Sequence, residues 1–596
     1  MKPTTILDVE IFRNWFAVGM LDVGDGRVDF LELHDDQPLD VDRLRYVLDR
    51  NRLITFNGDG FDIPIIHYAL AGATTQQLHD AAGAVINQNL RGWQLADRHG
   101  FKLGKPRDHV DLIEVAPGMA SLKIYGGRMH SARLQDLPVD PNDEVSPTQR
   151  VVLKAYCEND LHTTRDLYET LKPQLELRRV MGQQYKIDLR SKSDAQIAEA
   201  VITSEVTEAV GTVLRPEIAP GTAYRYKAPD FLQFSTLPLQ VKLGEILDAE
   251  FVVKDNGGIT EPPALAGQTV TIGAGVYRLG IGGLHSSETC QSVVADEEHV
   301  LLDRDVASYY PSIILRLGLE PAQMAGGFLR VYQSIVDRRL KAKAAGDKVA
   351  ADTLKIVVNG SFGKLGSKWS RLYSPDLMVQ VTVTGQLCLL MLIEALEAEG
   401  IRVVSANTDG IVIHCHRGDV GEMERIVTDW EQRTGFVTEE TSYRALYSRD
   451  VNNYIAIKPD GGVKVKGAFA PPGLMKNPNS EISTEAAIRW LRDHTPLAQT
   501  IQGCTDIRKF VVVRQVKGGA IDQDEKPIGK AVRWYYSTSV TGPLRYAVNG
   551  YTVPRSEGAR PLMELPAEMP PDVDFAWYEQ EAADILAAVG GFNGLV

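Results

Sequence analysis

The sequence predicts a multidomain chain that mixes α/β and α+β architecture, and three observations carry the prediction. At 596 residues the chain is too long for one hydrophobic core, and its length suggests roughly three to five structural units. Short β-branched or apolar runs at 4–10 and 300–303 read as strands, each with a carboxylate inside or just beyond it. Between 328 and 362 apolar residues recur at helical spacing instead, so strand and helix patterns follow one another along the chain.

Composition narrows the classes. Hydrophobic residues make up 44% and charged residues 24%, which is ordinary for a globular chain. No long uninterrupted apolar span and no N-terminal signal pattern stands out, so the expectation is a cytoplasmic protein away from any membrane. The five cysteines, Cys157, Cys290, Cys388, Cys415 and Cys504, form no CxxC pair, which argues against zinc modules, iron–sulfur clusters and a disulfide framework. A net charge of -14 runs against wholesale phosphate neutralisation. It does not exclude a basic channel inside an acidic shell, and the clusters around 338–343, 364–371 and 458–466 are where such a channel is expected.

Taken in order, the first element is the strand at 4–10, where alternation puts Asp8 and Glu10 on one face. Two like charges side by side call for a cation between them. The segment 54–64, ITFNGDGFDIP, places Asp62 directly after the aromatic Phe61. Ser121-Leu122 reads as a helix start. Tyr156 and Asp160 share a helix face at i, i+4. The glycine-rich stretch 279–286 is a tight connection. Next, 302–312, LDRDVASYYPS, sets Asp305 at a strand end, where an acid can hold a divalent cation, with a Tyr-Pro corner beyond it. In the helical pair Arg339 and Lys343 fall four residues apart. A turn at 345–347 then leads to a second helix at 350–362 that carries Lys355, Asn359 and Phe362 on one face. The β-branched runs flanking Asp409-Gly410 within 401–413 read as a hairpin with Asp409 at its tip. Each fragment alone also reads as ordinary structure, and their order and separation carry the weight.

Together these fragments resemble family B DNA polymerases. Residues 305–312 resemble motif A, DxxSLYPS. Residues 355–363 resemble motif B, KxxxNSxYG, with Gly360 for Ser and Phe362 for Tyr. Residues 405–410, SANTDG, resemble motif C, YGDTDS, with Asn407 in place of its first acid. In the N-terminal half, Asp8 and Glu10 match Exo I, Asp62 rather than Asp59 matches the ligand of Exo II, and Tyr156 with Asp160 matches Exo III of DnaQ-type proofreading nucleases. Ser121-Leu122 resembles the (S/T)Lxxh element, 279–286 the YxGG element, and 452–454 with 464–467 the elements that hold a primer terminus.

The resemblance implies an RNase H-like 3′→5′ exonuclease domain at 1–177, a connecting region at 178–298, palm at 299–326, fingers at 327–362, palm again at 363–467, and a thumb with a β-rich C-terminal extension at 468–596. No domain is expected ahead of Exo I. The implied metal ligands are Asp305, the Val306 backbone and Asp409 in one site, and Asp8, Glu10, Asp62 and Asp160 in the other. Each site would take two Mg2+ ions, with Mn2+ as a substitute, and Tyr156 would assist at the second. Ser308, Tyr310, Arg339, Lys343, Lys355 and Asn359 would hold the dNTP, with Lys355 also catalytic. Asn57, Phe61, Ser121, Leu122, Tyr454, Lys464 and Lys466 would contact DNA. The implied protein is a compact, phage-type, monomeric enzyme acting in genome replication in the host cytoplasm, on primer-template DNA, with a helicase or a single-stranded-DNA-binding protein as partner. Four alternatives stay open: a protein-primed polymerase, a primer-independent polymerase, a nuclease whose polymerase half is impaired, and a non-catalytic DNA-binding protein.

Overall fold

The computed structural model describes residues 2–591. They form two compact units. Of the described residues, the first comprises 2–193, 471–482 and 502–578, and the second comprises 194–470, 483–501 and 579–591. The boundary at 193/194 falls inside the stretch 178–298. Residues 468–596, read from sequence as one segment, are shared between the units.

The first unit is built on a five-stranded sheet whose order across the sheet is Val28–Leu33, Trp15–Asp22, Thr4–Phe12, Arg52–Thr55, His109–Asp111. The first three strands are antiparallel, and the last two run parallel to Thr4–Phe12. Alternation sorts Thr4–Phe12 between two cores. Leu7 and Val9 join Phe16, Val18 and Leu53 on one face, while Ile6 packs with Ile54, Val110, Cys157 and Leu161 on the other. The second face is covered by the helix Pro147–Thr170. Its start is fixed by a Ser146–Gln149 capping box and a proline in the first turn, where a missing N–H costs nothing. A four-stranded sheet from the C-terminal part of the chain, with Val512–Ile521 and Pro527–Tyr536 as its long strands, belongs to the same unit. Arg533 anchors it: fully buried, it donates to the carbonyls of Ser131 and Leu562 at 2.8 Å each.

The second unit is built on a seven-stranded antiparallel sheet. At one end of it, Thr438–Tyr443, His299–Val306, Gly410–His416 and Arg402–Asn407 are neighbours. The helix Pro375–Ala398 is long and apolar enough to cross a membrane, which corrects the expectation that no such span exists. It is instead a core helix, with 83% of its most apolar window buried, as a helix apolar on all sides must be. Its one buried acid, Glu394, accepts backbone N–H bonds from Ser235 and Thr236 at 2.9 and 2.7 Å. Its Gln386 amide is bonded to Gly280 and Gly282, which fixes the glycine-rich connection.

The helical pair is Phe328–Ala344 and Lys348–Leu365, with Asp347 capping the second helix through the N–H of Ala350. The Tyr-Pro corner is in fact the first turn of the helix Tyr309–Arg316. Pro311 sits in that turn, where no N–H is needed.

Candidate active sites

In the first unit, Asp8 and Glu10 share the Ile6 face and point under the helix Pro147–Thr170, which contributes Tyr156, Cys157 and Asp160. Asp62 joins them as the first residue of the helix Asp62–Leu70, where the N-terminal partial charge favours an acid. Glu10, Asp62 and Asp160 are buried and Asp8 half-buried. The ligand atoms of Asp8, Glu10 and Cys157 lie within 4.8 Å of one another.

Burial, and after it the charge of Asp160, pushes the Asp8 carboxyl up to about 7. Burial and then Asp8 push Glu10 and Asp62 well above the carboxylate range. Asp160 is raised by burial against the pull of Lys123. Four acids shifted the same way form a cluster short of positive charge. Its hard oxygen donors from three elements suit Mg2+ or Mn2+.

Two residues that sequence reasoning missed shape this site. Lys123 lies 3.6 Å from Asp160, donates to the Tyr156 hydroxyl and to the Gln135 carbonyl at 2.8 Å, and covers the Tyr156 ring. Asp111 accepts the backbone N–H groups of Asn57, Asp59 and Ile113 at 2.8, 2.9 and 3.1 Å. It thereby holds the loop before Asp62, in which Asn57 takes a left-handed φ of 66°. Asp59 lies outside the cluster, exposed and 3.2 Å from His109. Phe61 packs partly into the adjacent core. Ser121 caps the helix Leu122–Arg128 by accepting from the Ile124 N–H.

The raised pKa values set a sign. A carboxyl near 7 in the fold and near 4 when unfolded contributes its stability below about pH 4 and loses it as pH rises through 7. In EDTA, Asp8→Asn should therefore unfold at a higher temperature than wild type at pH 8, by about 5 °C, with the gap shrinking toward pH 5. Divalent cation should raise wild type more than the variant. Thermal scans across that pH range check this, and an equal gap at both ends would count against an uncompensated acid cluster.

In the second unit Asp305 is the penultimate residue of the strand His299–Val306 and faces Gly410 across the ladder. Asp409 stands exposed at the hairpin tip, and the Val306 N–H donates to the Asp409 carbonyl at 2.7 Å, locking the two acid-bearing segments together. The two-residue turn is Thr408-Asp409, because Asn407 pairs with Gly410. Gly410 is therefore a strand residue, where a Cβ would lie 2.2 Å from the Asp305 carboxylate. Asn407 donates to the Val451 carbonyl at 2.9 Å, a contact that a carboxylate would turn into repulsion.

A cavity of about 410 Å³ opens beside Asp409, lined by Ser308, Tyr310, Arg339, Asn359 and Phe362 among others. Arg339 donates to the Ser308 hydroxyl at 2.9 Å, and the Tyr310 and Phe362 rings lie 4.3 Å apart. Gly360 is required by packing, since a Cβ there would sit 2.9 Å from Ala198 on the helix Asp194–Val210. Lys355 is exposed and does not line this cavity. Lys343 is exposed and 3.5 Å from Glu439. Lys466 lies over the Tyr454 ring.

Lys464 sits 3.0 Å from the buried Asp303 and 3.6 Å from Asp305. Against a burial that would lower it, Asp303 and the Tyr443 hydroxyl hold the ammonium pKa well up. Burial and then Asp303 raise the Asp305 carboxyl, with Lys464 opposing. Asp303 was missed, although its i, i+2 spacing from Asp305 repeats that of Asp8 and Glu10.

The molecule thus carries two acid centres, one in each unit. No family model matches the chain. It is similar to DNA polymerase 1 of Sulfolobus acidocaldarius, 24% identical over 145 residues, which is 23% of this chain and 16% of that relative. Among solved structures, the family B DNA polymerase from Pyrobaculum calidifontis aligns with all of this chain and 79% of its own, at 14% identity and a TM-score of 0.41.

Proposed function

We propose that the chain is a family B-type DNA-directed DNA polymerase that extends a nucleic-acid primer and carries a 3′→5′ exonuclease. The observation that supports this reading best is the backbone bond from Val306 to Asp409, which ties the Asp305 strand to Asp409 at the edge of a cavity bearing an arginine and an aromatic pair. Divalent cations held by Asp305, the Val306 carbonyl and Asp409 would lower the pKa of the primer hydroxyl and offset charge on the triphosphate. The chain's own residues supply the rest. Arg339, steadied by Ser308, reaches phosphate oxygens, and the Tyr310–Phe362 pair, its rings tilted by 38°, forms an aromatic wall for sugar and base. Lys464 keeps Asp303 neutralised, so that Asp305 remains available at the strand end.

In the first unit Asp8, Glu10, Asp62 and Asp160 form the second cation site. Lys123 is set to hold the Tyr156 hydroxyl against a scissile phosphate. Asn407 occupies a structural bond, so its replacement of an acid does not by itself indicate an impaired polymerase half.

The test is a labelled primer on a template with magnesium, with and without dNTPs, alongside an unprimed circular single strand. Extension with dNTPs and shortening without them are expected, with no synthesis from the unprimed circle. Efficient unprimed synthesis by the purified chain would overturn primer dependence. A mobility shift with neither reaction would favour a binding protein. For sugar choice, Tyr310→Ala should raise ribonucleotide incorporation relative to deoxynucleotide by about tenfold or more. Single-nucleotide kinetics read this ratio, and unchanged discrimination would leave Tyr310 a packing residue.

A further inference from the structure

A cavity of about 580 Å³ in the first unit reaches Asp160 and Lys123 from outside, and one of its walls comes from the far end of the sequence. On one side are Ser121, Leu122 and the loop 136–141. On the other are Gln515 and Lys530, from the two long strands of the C-terminal sheet.

That sheet is fixed against the site. Ile124, Val513 and Ala531 form a shared core, and a Cβ at Gly127 would lie 2.6 Å from Val513. The Lys530 backbone N–H donates to the Asp136 carboxylate at 2.9 Å, and Gly529, at φ 121°, lets that strand approach Asp136 closely. The side chains of Lys530 and Gln515 are exposed, and among the described residues the Lys530 ammonium has no acidic partner within ion-pair distance. The lining combines apolar surface, from Leu122, Leu137 and Pro138, with Lys123, Lys530 and Gln515, and its acids are Asp160 of the centre itself and Asp136 and Asp140 of the loop. An unpaired strand presents that combination, flat base faces beside a charged backbone, whereas a duplex does not expose its base faces.

We propose that Lys530 and Gln515 form a binding site for the single-stranded 3′ end that enters the Asp8–Asp160 centre, with Lys530 on a backbone phosphate and Gln515 on a base edge. The proposal rests on the nuclease reading above. It adds that the C-terminal sheet is a built part of the nuclease's substrate path and that Lys530 is a positioning residue.

The experiment measures trimming of a labelled single-stranded oligonucleotide by the full chain, as initial rate against substrate concentration at several salt concentrations. Lys530→Ala should raise KM about tenfold, change kcat less than about twofold, and reduce the salt dependence of kcat/KM by about one counterion. Lys530→Arg should restore both, and Gln515→Ala should raise KM by a smaller factor. A wild-type KM and salt slope in folded Lys530→Ala would overturn the proposal, as would a loss confined to kcat. If the wild type trims nothing, the nuclease reading fails separately. Anisotropy with the same oligonucleotide in Ca2+ then decides on Lys530, since unchanged affinity in Lys530→Ala overturns its role and weakened affinity with a lower salt slope supports it.

Discussion

Asp409→Asn should reduce nucleotide addition by about 10³-fold or more while shortening of a 3′ end continues. The expected size follows from charge: on the proposed reading, Asp305 and Asp409 are the principal anions of a two-cation centre, which would lose half of its side-chain charge when one is neutralised. A factor of 10³ corresponds to about 4 kcal/mol of transition-state stabilisation. The substitution is conservative for the fold. Asp409 is exposed at the hairpin tip, and its structural contribution runs through backbone atoms, the carbonyl that accepts from Val306 and the N–H directed at Asn407, all of which an asparagine retains. Thermal unfolding should therefore stay near that of wild type, and primer-template binding should persist. Single-turnover extension kinetics make the measurement, and near-normal extension by this variant would remove Asp409 from the chemistry.

What the sequence showed and what it hid follow from the range over which each signal acts. Asp8 and Glu10, Tyr156 and Asp160, and Asn359 and Phe362 were legible because strand and helix periods place neighbours on one face without reference to the rest of the chain. The hairpin at 401–413 was legible too, but its turn was misplaced by one residue. Asp409-Gly410 looks like a turn pair from local chemistry, whereas Gly410 is a glycine because Asp305 on the neighbouring strand leaves no room for a Cβ. Gly360 and Asn407 look like lapses from a motif for the same reason. One accommodates a helix about 160 residues earlier in the chain, and the other donates to a carbonyl more than 40 residues later. Lys123, Asp111 and the place of the C-terminal sheet beside the Asp8–Asp160 centre were invisible because nothing local marks them, although β structure was expected at the C-terminal end. Their roles exist only once the sheet Thr4–Phe12, the loop 56–62 and the strands 512–536 are assembled. The exposure of Lys355 has a related origin. Helical phase puts it on the Asn359 face, but it lies about one turn before Val358, Asn359 and Phe362, the residues of its helix that line the cavity.

Replacing Asp8 and Glu10 together should abolish shortening of a single-stranded 3′ end, by about 10³-fold or more, while extension on a primed template continues. The two acids come from one strand of the first unit, and Asp305 and Asp409 from the second, so no shared ligand couples the centres. Folding is the point at which such a test usually fails, and here the electrostatics favour the variant. Glu10 and Asp62 are buried and Asp8 half-buried, and the pKa values of all three are displaced upward, so neutralising Asp8 and Glu10 relieves repulsion and desolvation at pH 7. Alanines would leave space beneath the helix Pro147–Thr170, whereas Asp8→Asn with Glu10→Gln keeps the volume, and the two double variants together separate packing from charge. Both should lose shortening, and the amide pair should unfold at a higher temperature than wild type in EDTA. Shortening retained by the amide pair would show that these acids are not the nuclease ligands. Extension lost along with shortening in a folded variant would show instead that one centre serves both reactions, and the assignment of Asp8, Glu10, Asp62 and Asp160 to a separate nuclease would fall.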